Sequence, residues 1–159
     1  MDLWSDYFGK LIMTFLISMV PVLELRGAIP VAVAHGLDFT VAIPVAIIGN
    51  LVPVPFIILF IRKVFHLLRK ISPKLDALVS KQEARARAKS DVVLRYTFWG
   101  LVLLVAIPLP GTGAWTGALV AAMLDMRLKR AFPAIALGVL IAGTVVAFVT
   151  YGAGAIFFS

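Results

Sequence analysis

Two charged side chains lie two residues apart inside an otherwise apolar stretch of this chain. Glu24 and Arg26 interrupt the apolar run of residues 11–34. A charged group at bilayer depth costs about 2.5–3.5 kcal/mol on insertion scales, so it is rarely found there without a partner or a function. A carboxylate can take up a proton and a guanidinium can bind an anion. We therefore predict that both residues belong to a substrate- or proton-binding site. The alternative is a salt bridge that stabilises the turn.

A second polar stretch, Pro108-Leu-Pro-Gly-Thr-Gly-Ala-Trp-Thr-Gly117, interrupts the apolar sequence further along. It offers free backbone N–H groups, the hydroxyls of Thr112 and Thr116, and the indole of Trp115. Because helix N-termini attract anions, these groups are candidates for substrate binding. The alternative is a glycine-rich turn that allows close packing, with the indole as a wedge. Asn50 is a further candidate, although an intramembrane Asn also forms interhelical hydrogen bonds.

Prolines and glycines accompany the polar residues in both stretches. Proline removes a backbone donor and breaks a helix, so we predict an interrupted segment at residues 21–30 and another near 108–117. Non-helical backbone at membrane depth is tolerated only where protein or water solvates it. The residues assigned to these two structural turns are Pro21, Gly27, Pro30, Pro108, Pro110, Gly111, Gly113 and Gly117.

The composition is that of an integral membrane protein with one domain. The chain of 159 residues is 62% hydrophobic and 14% charged, whereas a soluble domain is about half apolar and a quarter charged. The net charge of +7 does not indicate a nucleic-acid partner, because the basic residues flank apolar segments, where they set topology. Cysteine is absent and the two histidines have no carboxylate cluster, so the sequence predicts no metal site. It contains no nucleophile–base motif, so we expect neither an enzyme nor a cofactor.

The apolar segments fall into two length classes. Residues 11–22 reach about 18 Å as a helix, roughly half of the hydrocarbon core. They therefore indicate, together with the piece after the turn, a re-entrant hairpin over residues 11–37 that enters and leaves by the same face. A second hairpin follows from the same argument near residues 98–126. Residues 41–61 and 131–151 are long enough to cross.

The two halves match when residue n is set against residue n+87. Pro21 then falls on Pro108 and Asp38 on Asp125, and the order of hairpin and span recurs. We predict an all-α membrane fold made of an inverted repeat, in which each unit is a re-entrant helical hairpin followed by a transmembrane helix. The predicted parts are repeat 1 at 11–65, an amphipathic helical loop at 66–95, and repeat 2 at 97–155.

Charge distribution predicts the orientation. If both hairpins are re-entrant, all Lys and Arg residues except Lys10 and Arg26 lie on one face, as the positive-inside rule favours. We therefore place both termini outside and the 66–95 loop in the cytoplasm. The hairpins then enter from opposite faces, which is a recurrent plan of secondary transporters.

Glu24-Leu-Arg-Gly-Ala-Ile-Pro30 and Ala106-Ile-Pro-Leu-Pro-Gly-Thr-Gly-Ala-Trp-Thr-Gly117 resemble motifs of the small multidrug export protein family of prokaryotic membrane proteins. That family is similar to the DedA (VTT-domain) superfamily. The resemblance implies two opposed re-entrant hairpins, a multi-pass protein of the inner (plasma) membrane, and proton-coupled movement of lipids such as undecaprenyl phosphate. It also implies that Glu24 and Arg26 match the charged residues of the first hairpin. The second turn departs from typical DedA proteins, because it carries Gly-Thr-Gly and no arginine.

These observations predict a small transporter for an amphipathic or lipid-like, anionic substrate, bound where the hairpin tips meet. We expect membrane lipid as a partner and a homodimer, because one short domain encloses little cavity. Two alternatives remain open. One is an uncoupled lipid scramblase, and the other is a membrane-organising or assembly protein that acts through the 66–95 loop.

Overall fold

The residues that the computed structural model describes, 2–109 and 111–158, fold into α-helices without strands, which confirms the all-α prediction. The predicted turn residue Pro110 lies outside the described residues. The helices are α1 (Tyr7–Met19), α2 (Glu24–Ala34), α3 (Phe39–Leu51), α4 (Pro53–Ile71), α5 (Pro73–Tyr96), α6 (Phe98–Ala106), α7 (Ala114–Met123) and α8 (Leu128–Phe158).

Two helical segments are long and apolar enough to cross a membrane. The first, Phe39–Ile71, comprises α3 and α4, which meet at Val52; the second, Leu128–Ile156, lies in α8. Both contain a predicted span and extend beyond its ends. The α3–α4 junction coincides with Pro53, which begins α4 and cannot donate a backbone hydrogen bond.

Helices α1 and α2 form the first hairpin, and α6 and α7 form the second. At the open end of the first hairpin, Trp4 stacks on His35 with ring centroids 4.0 Å apart. The chain therefore returns beside its starting point. At the open end of the second hairpin, the guanidinium of Arg62 lies 2.8 Å from Asp125 and donates to the Met123 carbonyl at 3.0 Å.

The break in the first hairpin is shorter than predicted. Pro21 lies between the helices, but α2 begins at Glu24, so Gly27 and Pro30 are helical rather than turn residues. The Gly27 amide donates to the Leu23 carbonyl at 2.9 Å and closes the first turn of α2. Pro30 removes only one donor, and apolar helices that pack against neighbours tolerate such a loss.

Gly117 is also helical rather than part of the second turn. It lies inside α7 and is buried, where a Cβ atom would lie 2.5 Å from Val105 Cγ2 of α6. This glycine therefore allows close helix packing. Pro108, Gly111 and Gly113 lie between α6 and α7, as predicted.

The polar region predicted as a loop at 66–95 is mainly one long helix, α5. Its buried residues Val79, Ala86 and Val93 recur every seven positions and face one side of the helix. The helix packs against α4, α6 and α7. Arg69 of α4 bonds Glu83 of α5. Helix α5 is therefore packed against both helices of the second hairpin, α6 and α7, as well as against α4.

Asp38 forms the N-cap of α3, as its position after the first hairpin suggests. Its carboxylate accepts hydrogen bonds from the Thr40 hydroxyl at 2.7 Å and the Thr40 amide at 2.9 Å. These bonds hold the pKa of Asp38 below its ordinary value. The matching residue of the second repeat, Asp125, bonds Arg62 instead.

Close packing of α1 on α3 depends on Gly49. A Cβ atom there would overlap Ser18 Oγ and lie 2.6 Å from the Phe15 carbonyl oxygen. We expect Gly49→Ala to destabilise the fold by about 1–3 kcal/mol, measured as thermal unfolding in detergent. The control is Gly152→Ala, because an added carbon there meets nothing within 4 Å and alanine improves helix propensity by about 1 kcal/mol. If both variants raised the unfolding temperature equally, the close packing of α1 on α3 at Gly49 would be contradicted.

Candidate functional site

The turns of the two hairpins meet at the carboxylate of Glu24. Glu24 is only 3% exposed, and its Oε1 accepts a hydrogen bond from the Trp115 amide at 3.0 Å. That amide belongs to the first turn of α7, whose N-cap residue, Gly113, has no side-chain cap. Carboxylates stabilise helix N-termini by accepting such bonds and by their charge. Glu24 therefore caps a helix of the opposite hairpin.

Gly113 is required for this contact on two grounds. Its φ of 110° is a conformation that favours glycine. A Cβ atom on Gly113 would also overlap the Glu24 carboxylate and lie 2.9 Å from its carboxyl carbon. The Glu24 carboxylate thus fits against this turn only because position 113 is glycine, since any larger residue there would overlap it.

Arg26 binds the other side of the same turn. Its Nη1 donates a hydrogen bond to the Leu109 carbonyl, which follows the end of α6, where backbone carbonyls lose their helical partners. Glu24 therefore accepts from a backbone amide of α7, and Arg26 adds a donor to a carbonyl that also accepts hydrogen bonds from Thr112. Within the described residues, no salt bridge joins these two side chains to each other.

Thr112 in the second turn and Thr116 in the first turn of α7 both form hydrogen bonds with the backbone of the second turn. The Thr112 hydroxyl lies 2.5 Å from the Ile107 carbonyl oxygen and 2.7 Å from that of Leu109. The Thr116 hydroxyl donates to the Gly111 carbonyl at 3.2 Å. These hydroxyls shape the turn, so a ligand reaches them only by competing with backbone groups.

Trp115 connects the hairpins a second time. Its indole N–H donates to the carbonyl of Met19, the last residue of α1, at 2.9 Å. Its backbone amide already binds Glu24. One residue of the second hairpin therefore holds both sides of the break in the first.

Asn50 lies beside Glu24 at a small cavity. Both residues line a cavity of about 10 Å³, which has room for about one water molecule. Asn50 is 1% exposed, and its Oδ1 has no hydrogen-bond partner among the residues that the structure describes. A cavity of this size excludes an amphipathic molecule, so Asn50 belongs with Glu24 rather than with a substrate chain.

A much larger space, which we call the amphipathic groove, lies beside the hairpin tips. Its volume is about 1010 Å³. Its apolar wall comes from α4 and α7, and its polar wall comes from the tips and from α5. The apolar residues include Ile57, Ile61, Phe65, Trp115 and Leu119, and the polar residues are Arg26, Thr112, Thr116, Gln82, Arg85 and Lys89.

Four of the six predicted binding residues line this groove, namely Arg26, Thr112, Trp115 and Thr116, whereas Glu24 and Asn50 do not. Sequence reasoning missed Arg85 and Lys89. Their four-residue spacing places them on one helix face, but the sequence does not show what that face meets. The described residues contain no group of three or more His, Asp or Glu side chains suited to a metal.

Removal of the Glu24 carboxylate should destabilise the contact between the hairpins. Glu24→Ala leaves the Trp115 amide buried without its acceptor, and we expect a loss of about 2–3 kcal/mol in thermal unfolding. The control is Glu83→Ala, which removes a partly exposed carboxylate and should cost less than about 1 kcal/mol. Similar small losses in both variants would show that Glu24 does not hold the tips together.

Comparisons with known proteins bear on the same residues. A search of curated proteins and a search of solved structures found no match. The profile of the family described as "Putative small multi-drug export protein" matches residues 24–145, a range that begins at Glu24 and contains Arg26, the second turn and the whole of α5. Because this match covers most of the sequence, the chain belongs to that family of membrane proteins.

Proposed function

We propose that the protein is a membrane transporter that moves an amphipathic or lipid-like anion through a site at the hairpin tips. The observation that carries this proposal is the amphipathic groove, which joins an apolar wall to the guanidinium of Arg26. Apolar pockets with a few placed polar groups are typical ligand sites. The family is described by export, which is not an enzyme class.

Re-entrant, inverted hairpins are the topology that we propose for this transporter. The helices α6 and α7 have 9 and 10 residues, too few to cross a core of about 30 Å. The tips contact each other, while the open ends lie far from that contact. The repeat supports the same arrangement, since α1 ends at Met19 and α6 ends 87 residues later at Ala106.

Proton coupling, in this proposal, acts through Glu24. The carboxylate binds the N-terminus of α7, and its negative charge is the part of that interaction which protonation removes. A proton on Glu24 would therefore weaken the contact between the tips. We further propose a homodimer in the inner membrane of a prokaryote, with α5 in the cytoplasm and both termini outside, as charge distribution favours.

An uncoupled lipid scramblase is the second candidate, and the exposed tip of the first hairpin favours it. Val22 is 77% exposed and Leu23 45% exposed, and both line the groove that contains Arg26. A lipid chain could thus reach the guanidinium from the side. Such a path serves lipid exchange with or without an ion gradient.

Single-cysteine variants test the topology without background, because the natural chain has no cysteine. We expect Ser5→Cys and Thr40→Cys, on either side of the first hairpin, to react with an impermeant thiol reagent from one face of the membrane. Ser80→Cys in α5 and Arg127→Cys after the second hairpin should react from the other face. Labelling of positions 5 and 40 from opposite faces would mean that the first hairpin crosses fully.

Flux into proteoliposomes tests the transport proposal. Arg26→Gln should reduce uptake of a spin-labelled anionic lipid by about 10-fold or more, because it removes a charge-assisted bond. Glu24→Gln should abolish dependence on a proton gradient, while Lys10→Gln, at the open end of the first hairpin, should behave as wild type. Thermal unfolding of each variant separates loss of transport from loss of fold.

Equal flux in both directions without a gradient would identify a scramblase, and absence of flux in the wild type would contradict both candidates.

A further inference from the structure

Two cations of α5 face the turn of the second hairpin. Lys89 is partly buried, and its Nζ would lie 3.8 Å from a Cβ atom built on Gly111. Arg85 precedes it by one helical turn and lines the same groove. Arg26 reaches this turn from the opposite side, through its bond to Leu109. Cationic groups from α2 and α5 therefore converge on the short segment between α6 and α7.

Arg85 and Lys89 differ from Arg62 and Arg69 of α4 because, among the described residues, no carboxylate forms an ion pair with either of them. Arg62 pairs with Asp125, and Arg69 pairs with Asp76 and Glu83. Over residues 2–109 and 111–158, no ion pair includes Arg26, Arg85 or Lys89, and no carboxylate lines the groove. Like charges four residues apart on a helix destabilise it. An anion bound between them would remove that repulsion.

We infer that Arg85 and Lys89, together with Arg26, bind the anionic head of an amphipathic ligand, so that α5 forms one wall of the binding site. The head lies at the turn between α6 and α7, and the chain lies along Ile57 and Leu119 on the apolar wall. This inference rests on the proposed substrate class and adds its charge-selecting residues. It makes the polar helix between the repeats part of the site as well as a determinant of topology.

The chemistry of the two side chains defines the selectivity. Lysine supplies a compact charge, and arginine supplies a planar set of donors that suits carboxylate or phosphate oxygens. We expect anionic amphiphiles to bind more tightly than zwitterionic or uncharged ones of equal chain length. The apolar wall contributes chain affinity that does not depend on the head group.

Quenching of Trp115 measures this binding directly, because the indole lines the groove. In a Trp4→Phe, Trp99→Phe background, doxyl-stearate in detergent micelles is the anionic probe and its methyl ester is the uncharged control. We expect Lys89→Gln and Arg85→Gln each to raise the Kd of doxyl-stearate by about 5-fold, the upper range for partly exposed charge pairs. The affinity of the methyl ester should not change.

Lys81→Gln provides the matched control, since it removes an exposed charge from the same helix outside the groove. Its Kd should match that of the wild type. Equal affinities of all variants for doxyl-stearate would overturn the inference, as would an equal loss of methyl-ester binding. If phosphatidylglycerol displaces the probe, the natural source of the anion is a bilayer lipid. If it does not, the source is a free amphiphile. In both cases the probe must first bind in a way that depends on Arg85 and Lys89.

The binding assay and the flux assay fail independently. Binding that depends on Arg85 and Lys89, with no flux in proteoliposomes, would support the anion site and contradict transport. Flux with binding that is indifferent to both residues would support transport and overturn the role of α5.

Discussion

The structure depends on hydrogen bonds between two charged side chains of the first hairpin and the backbone of the turn between α6 and α7. A helix that stops inside apolar surroundings leaves free amides and carbonyls, which are costly without water. The gap between α6 and α7 is such a break. Glu24 binds the amide of Trp115 and Arg26 binds the carbonyl of Leu109. Each hairpin tip therefore gains hydrogen bonds from the other, and these bonds hold the two hairpins together.

This contact explains unusual local features of both turns. Glu24 begins α2 with a φ of 49°, a left-handed conformation that costs about 1–2 kcal/mol outside glycine. Such a conformation persists where the surrounding structure determines it. Here it directs the carboxylate towards α7. The opposite turn accommodates the carboxylate through Gly113, where any side chain would collide with it.

Sequence reasoning predicted the helical class and the two long apolar helices, because the length and hydrophobicity of a segment can be read from the sequence. It also selected Glu24 and Arg26, which contact the second turn in the structure; their role in binding stays a prediction. It assigned Gly27 and Pro30 to a turn, since it could not foresee that the amide of Gly27 would restart the helix. It treated α5 as a determinant of topology. The role that we propose for Lys89 depends on its position beside Gly111, more than twenty residues away, and spacing along one helix cannot reveal such a position.

The geometry divides the work between the two charged residues of the first hairpin. Glu24 is buried and lines a cavity with room for about one water molecule, so its surroundings suit a proton or a water molecule better than a lipid-like anion. Arg26 is partly exposed and uses one of its five donors on Leu109, so other donors remain for an anion in the groove. Both ligands would act on the same turn between α6 and α7. Coupling between two binding sites is reciprocal. If a proton changes the affinity for the anion by some factor, the anion must change the affinity for the proton by the same factor. That single turn is where such coupling would arise.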